Sequence, residues 1–208
     1  MSRRRALMRM QGVTPRIPAE YQEVEWVGTN GTVARDNSRV DLLYAPVSNP
    51  LAELTVTVDG SPRSVFALAD NNSIYPAWEL YISSNKVYYK WGNSTNNSGS
   101  STGLQTNWYE VSAGKSLSID GTTVVTKTDT DWSGNDKTVK LFYGSSSNSN
   151  SKIKSFVLYD GSDGSDAVRD LVPCYRKSDG RCGFYDLVGN SFYTTGTETD
   201  YLTKGNDV

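Results

Sequence analysis

Apolar and polar residues alternate in short runs along most of this chain. The clearest run is Leu54-Thr55-Val56-Thr57-Val58, in which the aliphatic residues share one face and the threonines the other, the period-2 signature of a half-buried strand. The same reading predicts strands at Tyr21–Gly28, Arg39–Tyr44, Ala52–Val58, Ser64–Ala69, Trp78–Ser83, Lys86–Trp91, Trp108–Val111, Ser116–Asp120, Thr122–Thr128, Lys137–Tyr143 and Lys152–Tyr159. Pro, Asn-Gly or Asp-Gly turns punctuate them. From Phe156 to Thr195 four apolar runs (Phe156–Tyr159, Ala167–Tyr175, Gly183–Val188, Ser191–Thr194) are separated by the turn residues that close antiparallel hairpins. Val24 and Trp26 are expected to point inward, with Glu23 and Glu25 toward water. Lys86 and Tyr88 fall on one face of their strand, Tyr89 and Trp91 on the other. The Ser/Asn/Gly segments Gly92–Gly103 and Gly144–Ser151 hold too little apolar area to offset ordering entropy and are expected to be mobile loop tips.

At 208 residues, the chain suits one large all-β domain. Thirteen Tyr and five Trp, with abundant Val and Thr, favour strands, because branched and aromatic side chains fit a pleated surface.

Two phrases carry a family resemblance. The C-terminal VRDLVPCYRKSDG, followed by CGFYDLVGNSFYT, and the opening Ile17-Pro18-Ala19-Glu20-Tyr21-Gln22-Glu23-Val24-Glu25-Trp26-Val27 resemble the two ends of laminin-G-like, concanavalin-A-like jelly-roll domains of bacteriophage structural proteins and gut-bacterial surface proteins. The resemblance implies a two-sheet antiparallel jelly-roll sandwich over residues 17–208, preceded by a basic arm and Pro-containing linker over 1–16. Trp26, Phe156, Leu158 and Leu171 should be buried in it. The scaffold by itself implies no activity, since jelly rolls differ in function through their loops.

Composition excludes much chemistry. The formal net charge is −2, without the basic stripe of a nucleic-acid binder. No apolar run approaches the roughly 20 residues that cross a bilayer, so no membrane partner is expected. Zero histidines remove Ser-His-Asp and Cys-His sites and His-ligated zinc. A strand-borne Glu-x-Asp-x-x-Glu pair, which would serve glycoside hydrolysis, is missing, and Glu23 and Glu25 read as a solvent-facing rim. The expectation is therefore a non-enzyme with no cofactor. Asp160, Asp163 and Asp166 are oxygen ligands of the kind calcium takes, but their spacing does not match an EF-hand and reads as an acidic turn. Cys174 and Cys182 are expected to be buried free thiols. The sequons at Asn30, Asn71, Asn93 and Asn96 read as products of an Asn/Ser-rich composition, given no secretory signal in residues 1–11.

Two candidate binding elements remain. Tyr89, Trp91 and Trp108, with Asn93 and Asn96, combine an apolar platform with amide fingers, the chemistry of a glycan site; the competing reading is a solvated loop over core aromatics. Arg3, Arg4, Arg5 and Arg9, interleaved with Leu7, Met8 and Met10, offer charge and apolar area to a protein partner; a solubilising tail is the alternative. A surface-type domain on an unexported chain points to a phage virion accessory protein: a head fibre, capsid decoration or tail component. It would be made in the host cytoplasm, join an oligomeric assembly of virion proteins through its arm, and display a jelly roll to host-surface glycans. The alternatives are a bacterial glycan-binding surface module and a purely structural jelly roll.

Overall fold

The computed structural model describes residues 16–29, 35–58, 63–69, 78–83, 86–92, 98–101, 107–127, 132, 136–143, 150–197 and 201–208. In chain order the elements are β1 (Tyr21–Glu23), β2 (Val27–Gly28), one helical turn α1 (Arg35–Ser38), β3 (Val40–Asp41), β4 (Leu51–Val58), β5 (Arg63–Ala69), β6 (Trp78–Ser83), β7 (Lys86–Trp91) and β8 (Ser98–Ser101). There follow β9 (Asn107–Ala113), β10 (Ser116–Ile119), β11 (Thr122–Thr126), β12 (Thr138–Leu141), β13 (Lys152–Tyr159), β14 (Ala167–Arg176), β15 (Cys182–Asp186), β16 (Ser191–Tyr193) and β17 (Thr203–Lys204). No helix among the described residues is long and apolar enough to cross a membrane.

The strands form two antiparallel sheets. The larger runs β11-β10-β9-β4-β13-β14-β15-β16, with β1 on β14 and β2 bridging β13 and β17; the smaller runs β3-β12-β5-β6-β7-β8. Their inner faces meet in one core. Leu54, Val56, Val111, Ile153, Phe156, Leu158 and Leu171 come from the larger sheet; Trp78, Leu80, Val87, Tyr89, Trp91, Val139 and Leu141 come from the smaller. Each such side chain contributes about 1.5–3 kcal/mol when removed from water, and alternation alone assigns nearly all of them to the inside. The fold is the two-sheet antiparallel jelly-roll sandwich that the resemblance implies, with the strand alternation in agreement.

The Trp78, Trp91 and Trp132 rings pack edge-on or tilted, with centroids 5.1–6.1 Å apart. Tyr89 ties the sheets together: its hydroxyl accepts from Trp78 Nε1 at 3.0 Å and donates to the Gly114 carbonyl in the β9–β10 turn. Complete burial pushes this phenol far above its ordinary range, so it stays a neutral donor.

Two sequence expectations need correction here, and two short elements were unforeseen. Trp26 is half-buried, lying beneath Lys152 Nζ at 4.4 Å, and Val27 takes the core position. The chain bends at Glu25 between β1 and β2, which resets the alternation after Val24. The Gly92–Gly103 segment contains an edge strand, because β8 pairs with β7 through backbone groups that need no apolar side chain. α1 and β17 were not foreseen, being too short to show a period. Both cysteines are free and buried. They pack in different clusters, Cys174 with Val172 and Tyr185, Cys182 in the main core, as expected of adjacent strands whose facing positions are Cys174–Gly183 and Tyr175–Cys182. Burial, outweighing a backbone hydrogen bond, pushes the Cys174 thiol up to about 12.

Candidate glycan-binding face

The outer face of the larger sheet divides into two parts. Over β14, β15 and β16, Val172, Cys174 and Tyr185 make a second, small apolar cluster covered by Ile17 and Tyr21. A turn closed by Tyr21 N donating to the Pro18 carbonyl at 3.0 Å brings this cover back over the sheet, and Lys177 fastens it by donating from N and Nζ to the Glu20 and Ala19 carbonyls at 2.9 and 2.8 Å. The Tyr21 ring sits 5.1 Å from Tyr185 and 5.0 Å from Phe192.

Over β11, β10, β9, β4 and β13 the outward side chains of the same face are exposed or half-buried, except Val157, which is buried. Strict alternation puts Ala52, Leu54 and Val56 inside and Glu53, Thr55 and Thr57 outside; β9 likewise sends Val111 and Ala113 inward and Trp108, Glu110 and Ser112 outward. Register then lines these residues up across the strands. Thr123, Ser118, Ser112, Glu53 and Val157 form one row; Glu110 and Thr55 lie in the next with Ser155; Trp108 and Thr57 pair in a third. Five strands at about 4.8 Å spacing make a shelf of about 19 Å.

Short hydroxyl side chains floor the shelf and are already oriented. Ser155 Oγ donates to Thr55 Oγ1 at 2.9 Å, Ser118 and Thr123 share a hydrogen bond of 3.2 Å, and Ser116 Oγ donates to Thr126 Oγ1 at 3.3 Å. Each hydroxyl keeps lone pairs for a further partner. Tyr159 Oη donates to Glu53 Oε2 at 3.2 Å and holds that carboxylate at the shelf's edge. Glu110 is exposed, its amide donating to Asp120 Oδ1 at 2.8 Å. At the opposite edge the half-buried Trp108 carries Lys154 Nζ 4.2 Å from its ring centroid.

Of the three described residues expected to form a glycan site, Trp108 alone stands on this face. Tyr89 and Trp91 are a correction: both are fully buried core residues, because they share the parity of Val87 and face the sandwich interior. Asn93 and Asn96 lie outside the described residues, as do Arg3, Arg4, Arg5, Leu7, Met8, Arg9 and Met10 of the arm. The outward aromatic of β7 is Tyr88, stacked on Tyr81 at 4.6 Å with the rings 2° from parallel. Beside it Glu79 and Lys90 are opposite on β6 and β7, both buried, as is Lys140 on β12. Burial, opposed by the charge of Glu79, lowers the Lys90 ammonium from its ordinary value. Among the described residues, the outer face of the smaller sheet is thus buried at Glu79, Lys90 and Lys140 and half-buried at Tyr81 and Tyr88.

Asp160, Asp163 and Asp166 do not converge on a cation position. Asp160 accepts from Tyr44 Oη at 2.6 Å, from Ser48 N and Oγ at 2.9 and 2.7 Å and from Val47 N at 3.2 Å. Asp163 Oδ1 accepts from Ser165 N and Oγ at 3.1 and 3.0 Å. Among the described residues no three His, Cys, Asp or Glu side chains gather as a metal site. Glu23 pairs with Arg16, and Glu25 Oε2 accepts from Asn206 Nδ2 at 3.3 Å. The residues missed in the sequence were Thr55, Thr57, Glu53 and Ser155; the alternation around Leu54 had already placed the threonines on the outer face.

No family model matches the chain, and no curated protein matches it in sequence. In structure it is similar to the native heptameric SAP-like pentraxin from Limulus polyphemus, with 13% identity over 88% of this chain and 95% of that one, at a TM-score of 0.54. It is also similar to Trypanosoma rangeli sialidase in complex with sialic acid, with 16% identity over 68% of this chain and a TM-score of 0.49. The chain spans 26% of that sialidase chain's length. The pentraxin likeness shows the β-sandwich fold.

Proposed function

We propose that this chain is a non-enzymatic glycan-binding jelly roll that takes sugars on the open shelf of β9, β4 and β13. The supporting observation is the shelf itself. It combines an indole at one edge, a floor of oriented hydroxyls, and the carboxylates of Glu53 and Glu110, on a face where the neighbouring strands are covered. Indole faces stack against the C–H faces of pyranose rings, while carboxylates and hydroxyls accept and donate to sugar hydroxyls; such a mix of an apolar platform and few polar fingers is the ordinary anatomy of a small-molecule site. The two-ended resemblance to phage structural proteins and the basic arm support placing the domain on a virion as a head fibre, decoration or tail component, with the arm held by neighbouring subunits.

A second reading has its own observation. Glu53 and Glu110 stand on adjacent strands of one face, Glu53 opposite Ser112 and Glu110 opposite Thr55. That diagonal puts their Cβ atoms under about 7–8 Å apart, near enough for both carboxylates to flank one glycosidic bond, as glycoside hydrolysis requires. A glycan array with wild type and Trp108→Ala, followed by reducing-end release assays on the glycans that bind, separates the readings. Binding that is lost in Trp108→Ala, without sugar release, supports the proposal. Release that stops in Glu53→Gln or Glu110→Gln would replace it with a hydrolase. No retained glycan leaves the purely structural reading. Electron microscopy of particles from the source tests the virion placement, which fails if this chain occupies no repeated position on them.

A further inference from the structure

Leu43 and Val47 expose 75% and 68% of their surface to solvent and belong to one short loop between β3 and β4. Single exposed apolar residues are ordinary. These two are held out by construction. Leu43 has φ of +49°, a left-handed conformation that a side chain with a Cβ resists. The loop cannot relax, because it is fixed from every side. Leu42 N donates to the Val139 carbonyl and Val139 N to the Tyr44 carbonyl, both at 2.9 Å. Arg169 Nε donates to the Leu42 carbonyl at 3.3 Å, with its guanidinium 5.0 Å from the Tyr44 ring centroid. Trp132 Nε1 donates to the Pro46 carbonyl at 3.2 Å, and Asp160 gathers Tyr44, Val47 and Ser48. The charge beside it is acidic: after Asp160 the same connection exposes Asp163 and Asp166, and Gly164 packs toward Leu51 at the loop's far end. The described cations at this end include Arg169, which faces Asp186 at 3.5 Å and the Leu42 carbonyl, and Lys115, in the β9–β10 turn whose Gly114 also approaches Leu51.

We propose that this loop, with Asp163 and Asp166, is the docking site for residues 3–10 of the N-terminal arm of a second copy of this chain. The arm's composition is the complement of the site. Residues 1–11 hold four of the 21 basic residues and none of the 23 acidic ones, so the remainder of the chain carries 17 basic against 23 acidic. Leu7, Met8 and Met10 supply apolar side chains to cover Leu43 and Val47, and Arg3, Arg4, Arg5 and Arg9 meet the aspartates. Reach favours a second copy over the chain's own loop. Arg16 is tied to Glu23, which pairs with Cys174 on β14. From there to Ala167 is about 23 Å along the strand, and the acidic connection and the apolar loop lie beyond. Met10, six residues before Arg16, extends about 21 Å at most, so the chain's own arm does not bring Met10 onto the loop, although Arg3, thirteen residues before Arg16, has about 45 Å of reach. Reciprocal exchange between two copies closes a symmetric pair, and one-way exchange builds rings or filaments.

The inference uses the arm and this loop and no part of the glycan shelf, so Trp108→Ala leaves it untouched. Sedimentation velocity on the full chain across a concentration series tests it. Concentration-dependent association is expected, weakened about tenfold or more, as loss of a central contact does, by Leu43→Asn with Val47→Asn, by Asp163→Arg with Asp166→Arg, and by Arg3→Glu, Arg4→Glu and Arg5→Glu. Combining the two charge reversals in one chain should restore it. A chain that stays monomeric at every concentration would overturn the proposal, as would association indifferent to Leu43 and Val47, charge reversals that fail to compensate, or cross-linking mass spectrometry that joins the arm to the loop of its own chain.

Discussion

Two halves of one sheet face behave oppositely. Over β14, β15 and β16 the outward positions are Val172, Cys174 and Tyr185, and the chain folds Ile17 and Tyr21 back to cover them. Over β9, β4 and β13 the outward positions are mostly polar, and Trp108, Glu110, Thr55 and Glu53 stay exposed or half-buried, with Val157 buried among them. The strands are continuous in backbone hydrogen bonding, so pairing does not make the difference. It lies in outward residue type alone: an apolar outer face is stable only under a cover, and a hydroxyl face is stable in water. The covered half should therefore respond to substitution in stability and the open half in binding.

The largest effect is expected where the cover is anchored. Tyr185 is buried against Tyr21, and Tyr185→Ala should cost about 3–5 kcal/mol in unfolding free energy, the range for losing a buried aromatic side chain. Guanidinium denaturation measures it, with Tyr21→Ala close behind because it removes the other ring. Gly183→Ala probes the same half from a different direction: a methyl there would run into the Tyr193 carbonyl and lie 2.9 Å from the Phe192 ring. A loss below 1 kcal/mol in Tyr185→Ala would mean that the two halves do not differ as described.

On the other half, Trp108→Ala should cost less stability than Tyr185→Ala, because the indole is half-buried and not buried, while lowering affinity for any glycan retained on an array by roughly tenfold or more, the ordinary cost of truncating an anchoring aromatic. Isothermal titration reads the second quantity and thermal melts the first. Equal losses in both would assign Trp108 to the structural class of Tyr185.

Much of this contrast was legible in the sequence, because a two-residue period reports facing wherever a strand is long enough. β4, β6, β7 and β13 are predicted to within a residue, and the alternation around Leu54 sets the threonines outward. What period cannot report is which of two aromatic-bearing faces turns inward. β7 has Tyr88 on one face and Tyr89 and Trp91 on the other, and the choice rests on Val87 and on the tryptophans of β6 and the loop at Trp132 that complete the cluster, a tertiary fact. Trp26 fails for a different reason: a bend one residue earlier shifts the phase, and nothing local at Glu25 announces it. β8 was hidden because an edge strand of Ser and Gly is held by backbone bonds that composition does not show.

A smaller effect tests whether the loop carrying Leu43 belongs to the rigid part of the molecule. Partial burial works against ionisation of Asp160, but hydrogen bonds from Tyr44, Ser48 and Val47 outweigh it and hold the carboxyl below its usual range. Its folded pKa is thus the lower one, and its contribution is present above the ordinary carboxylate pKa and lost as pH falls through the folded value. Burial first, then the hydrogen bond to Asp160, pushes the Tyr44 phenol up to about 12. That contribution is present below about 10, the ordinary phenol value, and is lost as pH rises toward 12. Tyr44→Phe should cost about 1 kcal/mol at neutral pH, the net worth of one hydrogen bond, and should flatten the stability profile on the alkaline side. An unchanged alkaline limb in the variant would show that Tyr44 does not couple the loop to folding.

The smallest expected effect decides how the shelf's aromatic edge works. Lys154 is exposed and its ammonium lies 4.2 Å from the Trp108 centroid, an arrangement worth about 0.5–1 kcal/mol at an exposed site. Lys154→Met keeps the length and removes the charge, so stability should fall by no more than that. Binding should split by ligand class. A neutral glycan stacking on the indole competes with the ammonium for the ring, and its affinity should hold or rise in Lys154→Met. An acidic glycan uses the ammonium as a counter-charge, and its affinity should fall, with a weaker dependence on salt than the wild type shows. Parallel titrations of one neutral and one carboxylated oligosaccharide at two ionic strengths separate the cases, and identical responses to both would show that Lys154 takes no part in the shelf's selectivity.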